Sequence, residues 1–109
     1  MNSLFLLNLF MKKILIIGGG AMGSAFSVPC IDNNNKVFIT EPHSQRFIKN
    51  LSSKNKFHSG LKINLSKKLI FKKYGKELFL EKYDLIVIAL SLSGINFVGK
   101  ELNNYKVKS

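Results

Sequence analysis

A parallel α/β sheet wound with helices on both faces is the fold this sequence predicts, and three observations carry it. Apolar runs suited to buried strands recur along the chain: Ile14-Leu15-Ile16-Ile17, Val37-Phe38-Ile39, Leu69-Ile70-Phe71 and Leu85-Ile86-Val87-Ile88-Ala89-Leu90. Helix-compatible stretches separate them, giving a β-α-β-α-β-α-β-α alternation that calls for parallel strands. The first run breaks directly into a glycine cluster, in which Gly18, Gly20 and Gly23 hold G-x-G-x-x-G spacing with Gly19 between the first two. In a doubly wound parallel sheet of about four such strands the order is 3-2-1-4, and a ligand crevice opens between the first and fourth strands.

Residues 1–10 include the apolar run S-L-F-L-L-N-L-F, far too short to span a bilayer. Lys12 and Lys13 follow this run instead of preceding it, so it lacks the layout of a signal peptide. Met11 opens M-K-K-I-L-I-I-G, a natural beginning for a first strand over residues 12–17, and residues 1–10 are read as an extension. A helix is predicted from Ala21 toward Asp32, with Met22, Ala25 and Phe26 covering the sheet and Pro29 kinking or shortening it. Asn33-Asn34-Asn35 closes that helix, because asparagine tolerates the left-handed conformation at a helix end. The second strand spans residues 36–41, and a short helix over 42–51 would turn Phe47, Ile48 and Leu51 inward. Residues 52–62 lack periodicity and read as a loop, either a functional long loop or, as the plainer reading, a solvated connection. The third strand lies within residues 63–72, a short helix weakened by Gly75 within 74–82, and the fourth strand over 85–90. A loop at 91–94 leads to a helix carrying Ile95, Val98 and Leu102, and Val107 looks like the start of another strand.

The glycine cluster carries the chemistry. Gly18 permits a sharp turn, Gly20 lets the backbone approach a pyrophosphate, and Gly23 lets the helix pack tightly on the strand. The first-turn N–H groups have no partner within the helix and, with the positive end of its dipole, face an anion. Gly18, Gly19, Gly20, Ala21, Met22 and Gly23 are therefore placed under the pyrophosphate of a dinucleotide. A flexible turn without a ligand is the blander reading, but it needs one or two glycines and not three at these offsets. Glu41 ends the second strand about twenty residues further on. It is either an acceptor for an adenosine ribose or a solvated glutamate at a strand end. As an acceptor it would favour a ribose 2′-OH and repel a 2′-phosphate, while the surrounding lysines and Arg46 push the other way. The carboxylate sets the expectation at NADH over NADPH, with the cofactor NAD or NADP. Ser91 and Ser93 would stand on the opposite wall of the crevice.

Composition narrows the classes further. An apolar fraction of 46% over 109 residues suits one globular unit and excludes a disordered chain. The formal charge of +11 rests almost wholly on scattered lysines, with Arg46 the lone arginine, so it reads as compositional bias and not as a nucleic-acid surface. Its field would still favour phosphorylated ligands on approach. Cys30, the sole cysteine, allows no intrachain disulfide and fits a reducing, cytoplasmic setting. With only His43 and His58 beside it, at unrelated spacings, no metal site is expected.

The run G-G-G-A-M-G-S-A-F-S-V-P-C-I-D-N-N-N-K-V, residues 18–37, resembles the start of NAD(P)-dependent glycerol-3-phosphate dehydrogenases, closest to members with G-A-M-G-S-A-x-S-V-P-x-x-D-N-x-x-x-V. Residues 57–62 (F-H-S-G-L-K) and 83–91 (Y-D-L-I-V-I-A-L-S) look like that family's H-P-x-L-x-G-V-K-L loop and fourth strand. The likeness covers residues 12–105 and implies a Rossmann-type domain over residues 11–109 that binds a nicotinamide dinucleotide. The complete protein would then interconvert glycerol 3-phosphate and dihydroxyacetone phosphate, and a homodimer is compatible with that. E-P-H stands where the family has tryptophan-glycine after the second strand. The family's catalytic lysine, its further strands and its helical substrate domain would lie beyond Ser109. The resemblance thus places no catalytic residue here, and the isolated chain is expected to be inactive. Ketopantoate reductases, NADP enzymes that also carry G-A-M-G, are the alternative within enzymes. A non-catalytic dinucleotide-binding module is the alternative outside them.

Overall fold

The computed structural model describes residues 12–43, 56–58 and 61–105. The short helix expected over 42–51 and the strand expected at Val107 lie outside the described residues, apart from Pro42 and His43.

Four strands form one parallel sheet: β1 (Lys13–Ile17), β2 (Lys36–Thr40), β5 (Ile70–Phe71) and β6 (Leu85–Ile88), in the order β5-β2-β1-β6. Numbered within this sheet alone, that is 3-2-1-4, the doubly wound order expected. β1 is paired on both sides, with Ile14 opposite Val37 and Leu85, and Ile17 opposite Thr40 and Ile88. A strand in that position is covered on both faces, which is why it reads as an unbroken apolar run. Its alternating side chains feed two cores. Ile14 and Ile16 join Val37, Ile39, Cys30, Ile31, Leu65 and Leu69 on one face, while Leu15 and Ile17 join Phe38, Leu78, Phe79, Tyr83 and Val98 on the other.

Helix α1 (Ala21–Asp32) covers the first face. It runs through Pro29 to Asp32, so the proline does not shorten it; Pro29 is exposed and its carbonyl accepts from Asn33 N–H. The expected inward stripe is corrected. Gly23, Ser24, Ser27, Cys30 and Ile31 are buried, while Met22 (69% exposed), Ala25 and Phe26 face outward. The reason is distance: a Cβ on Gly23 would come within 3.1 Å of the Gly18 carbonyl carbon and closer still to its oxygen. That near the strand end, the first turns of the helix accept only small residues at their contact points, and Cys30 and Ile31 enter the core further along. Asn34 takes the left-handed conformation (φ 64°), and Asn35 N–H reaches back to the Cys30 carbonyl, closing the helix as the asparagine run predicts.

Helix α2 (Leu92–Tyr105) covers the second face with Val98, and Leu102 packs against the same core. The stretch before β6 forms a 3-10 helix, Lys76–Leu80, with Leu78 and Phe79 buried beneath α2's side of the sheet. Tyr83 is fully buried there and donates its hydroxyl to the Leu78 carbonyl at 2.7 Å. At the opposite end of the sheet from the glycine turn, Glu81 bridges Lys13 and Lys72, whose ammonium groups hold its carboxyl down at about pKa 2.

The connection expected to be solvated is instead partly structured. β3 (Phe57–His58) pairs antiparallel with β4 (Ile63–Asn64), and His58 is buried. Lys56, before β3, and Lys62, between the strands and just before β4, take the left-handed region, φ 47° and 55°, conformations that ordinary side chains seldom adopt. The Lys56 ammonium offsets that strain by donating to the carbonyls of Lys67 and Leu69, which ties the ribbon to the start of β5.

Candidate functional site

The carboxyl end of β1 is held from both sides just before the chain turns. Gly18 N–H donates to the Thr40 carbonyl and Ala89 N–H to the Ile17 carbonyl, each at 2.8 Å, so both ladders continue one step past the strand. Gly18 then takes φ 126°, a region that only glycine enters readily. A Cβ there would also lie 2.9 Å from the Ala89 carbonyl carbon. Gly18 and Gly23 are thus required by the fold itself, one for the turn and one for helix contact.

Gly20 is different. It is exposed, it precedes the first residue of α1 with extended φ and ψ of −68° and −174°, and a Cβ built on it meets nothing within 4 Å. Among the described residues no neighbour accounts for a glycine there.

Between them, Gly19 is gripped at both its polar groups. Its N–H donates to Glu41 Oε1 at 2.9 Å, and the other carboxylate oxygen accepts from His43 N–H at 2.7 Å. Its carbonyl accepts from Ser24 Oγ at 3.0 Å and lies 2.9 Å from His58 Nε2. His58 Nδ1 accepts from Leu61 N–H at 3.1 Å, so the ring proton sits on Nε2 and is donated to Gly19. Glu41 is only 7% exposed, which rules out the solvated strand-end glutamate. Its carboxylate turns toward the glycine turn, where it shapes the backbone.

The remaining residues singled out in the sequence group at the same edge of the sheet. Ala21 and Met22 are exposed in the first turn of α1. Ala89 Cβ stands 3.3 Å from the place a Gly23 Cβ would take, so the segment after β6 abuts the glycine turn. Ser91 precedes α2, its carbonyl accepting from Ile95 N–H, and its hydroxyl lies 3.3 Å from that of Ser93; both serines are exposed. The His43 ring leans on Phe97 of α2, centroids 5.4 Å apart. Two helix N-termini, those of α1 and α2, therefore open at this edge, and both favour negative charge. The cluster contains a buried carboxylate and a buried imidazole that hold the backbone. His58 is the residue that sequence reasoning missed. Its one signal was the likeness of F-H-S-G-L-K to a family loop.

An NADP(+)-dependent glycerol-3-phosphate dehydrogenase from Archaeoglobus fulgidus is 34% identical over 82 residues. The chain is a distant relative of that enzyme. The match takes in 75% of this chain and 24% of the relative, so the chain spans about a quarter of that protein's length. No protein-family model matches, and no solved structure matches significantly. Among the described residues no helix is long and apolar enough to cross a membrane, and no group of three or more His, Cys, Asp or Glu could hold a metal ion.

Proposed function

We propose that residues 11–109 are the dinucleotide-binding portion of an NADP-dependent oxidoreductase that interconverts glycerol 3-phosphate and dihydroxyacetone phosphate. The observation that carries the binding half is Gly20: an exposed glycine at a helix N-terminus with open space where its side chain would stand. A diphosphate fits that place, because Gly20, Ala21 and Met22 offer first-turn backbone N–H groups and no side chain intervenes at Gly20. Gly18, Gly19 and Gly23 set the turn, and Ser91 and Ser93 line the α2 side. The identity to the Archaeoglobus enzyme supports the choice of reaction.

NADP(H) is preferred over NAD(H) on two grounds. The relative is NADP-dependent, and the buried Glu41 carboxylate is turned to the Gly19 and His43 amides instead of standing open against a 2′-phosphate. The chain's charge of +11 adds attraction for the more anionic cofactor. When bound, the nicotinamide supplies the hydride that reduces the keto carbon of dihydroxyacetone phosphate. The residues of this chain bind and orient it, and none of them is placed in the proton transfer.

The test is fluorescence titration of NADPH and NADH into the full chain and its Gly20→Val variant. Saturable binding, tighter for NADPH and lost in the variant, is expected. Equal affinity in the two proteins would remove the assignment, and preference for NADH would remove the cofactor choice.

A further inference from the structure

The Gly19–Gly20 peptide is trans and planar, so its carbonyl and its N–H point in opposite directions. The carbonyl is drawn into the protein, where Ser24 Oγ and His58 Nε2 both reach it. The N–H of Gly20 must then face away from them, toward the exposed side of the turn. Ser24 is a local partner, one turn along α1. His58 is not: it arrives from the β3–β4 ribbon, 39 residues away, and is 8% exposed.

We propose that His58 is a positioning residue for the phosphate-binding turn, locking the Gly19–Gly20 peptide so that Gly20 N–H is presented to an anionic oxygen. This rests on the dinucleotide reading above. The imidazole does two jobs with its two nitrogens. Nδ1 accepts Leu61 N–H and so fixes the ring within its own ribbon, and Nε2 donates to Gly19. The ribbon is in turn anchored by the Lys56 ammonium on the Lys67 and Leu69 carbonyls and by Leu65 N–H on the Lys56 carbonyl. Donor orientation at the turn is thus set by a connection outside the β1–α1 unit. A phosphate oxygen needs the N–H already aimed, since a donor that must reorient on binding loses part of the gain to ordering.

Two substitutions separate the two jobs. In His58→Gln the amide nitrogen reaches about as far as Nε2 and can still donate to Gly19. In His58→Asn the amide oxygen can still accept Leu61 N–H, but the side chain stops short of Gly19. Titrated with NADPH beside the unaltered chain and Gly20→Val, His58→Gln is expected to bind within a few-fold of the unaltered chain. His58→Asn is expected to bind about tenfold more weakly, the loss of roughly one buried hydrogen bond. Long-range nitrogen–proton spectra of the unaltered chain should show the proton on Nε2. If His58→Asn binds as tightly as the unaltered chain while Gly20→Val does not bind, the role of His58 is refuted and the dinucleotide reading stands. If His58→Gln is the weaker binder, the ring serves the ribbon alone and the proposal again fails. Absence of saturable binding to the unaltered chain would remove the dinucleotide reading, and this inference with it.

Discussion

Alanine placed in turn at Gly18, Gly20 and Gly23 should separate the glycines that the fold needs from the one proposed to meet a ligand. At Gly23 the new methyl lies 3.3 Å from Ala89 Cβ and 3.1 Å from the Gly18 carbonyl carbon, nearer still to its oxygen. Neither neighbour is a flexible side chain end, so α1 must back away from β1, an overpacking cost of about 2–3 kcal/mol. Gly18→Ala meets the Ala89 carbonyl in the same way and also forces φ 126° on an L-residue. That adds about 1–2 kcal/mol, for a total of roughly 3–5 kcal/mol. Gly20→Ala meets nothing. As a helix-preceding residue it loses about 0.5–1 kcal/mol against glycine, and it regains about 0.4–1 kcal/mol through the less flexible unfolded chain. Its net effect should stay within about 0.5 kcal/mol. Each kcal/mol moves the melting temperature by about 4–8 °C in a domain of this size, so Gly23→Ala should melt on the order of 10 °C lower, Gly18→Ala lower again, and Gly20→Ala with the unaltered chain. Thermal melts and urea titrations followed by circular dichroism read this directly. A Gly23→Ala protein melting within a couple of degrees of the unaltered chain would refute the close helix–strand approach. A Gly20→Ala protein as unstable as Gly23→Ala would refute the open space at Gly20.

Two further predictions concern stability. The Thr40 hydroxyl, at the end of β2, is buried without a hydrogen-bond partner among the described residues, so Thr40→Val should raise stability by about 1 kcal/mol; a lower urea midpoint would show that the hydroxyl is satisfied. Burial, with the charge of Glu81 added, pushes the Tyr83 phenol up to about 12 from an ordinary value of 10. The unfolded chain therefore releases this proton first. The stabilisation is complete below pH 10 and disappears as the pH rises from 10 to 12. Urea titrations at pH 9 and 11 should show a fall in stability that Tyr83→Phe lacks, and an equal fall in both proteins would assign it to the lysines instead.

What the sequence showed of this molecule was whatever is encoded locally. The β1 run, the glycine spacing and the asparagine close of α1 each depend on neighbours within about a dozen residues, and each is found where expected. The sheet order followed from the alternation of strands and helices. The inward face of α1 did not, because hydrophobicity nominated Met22 and Phe26 while the close approach of the helix start to β1 turns Gly23, Ser24 and Ser27 inward, with Cys30 and Ile31 following them. The β3–β4 ribbon escaped because each strand has two residues, too few for a period to register. Its left-handed turns fall on Lys56 and Lys62 instead of glycines. The Gly19–His58 bond escaped for a different reason. It joins residues 39 apart, and no spacing rule reaches that far.

These two classes of information meet at the turn. Its shape begins in the sheet: the Thr40–Gly18 and Ile17–Ala89 bonds carry the rigidity of two ladders into Gly18. It is completed by partners from the residue after β2 (Glu41), from α1 (Ser24) and from the ribbon (His58), all converging on Gly19. Glycine-rich loops are ordinarily mobile because glycine has the most backbone freedom to lose. Here Gly19 is tied at both polar groups, and Gly20 is left as the exposed residue of the turn. That division suits anion binding. The entropy of ordering the loop is settled during folding, so a ligand meets a donor already fixed in direction. It also locates vulnerability away from the motif. A substitution in the ribbon, dozens of residues from the glycines, should weaken the turn's ligand while leaving the G-x-G-x-x-G signature intact, so the signature alone is not a measure of whether such a turn can bind.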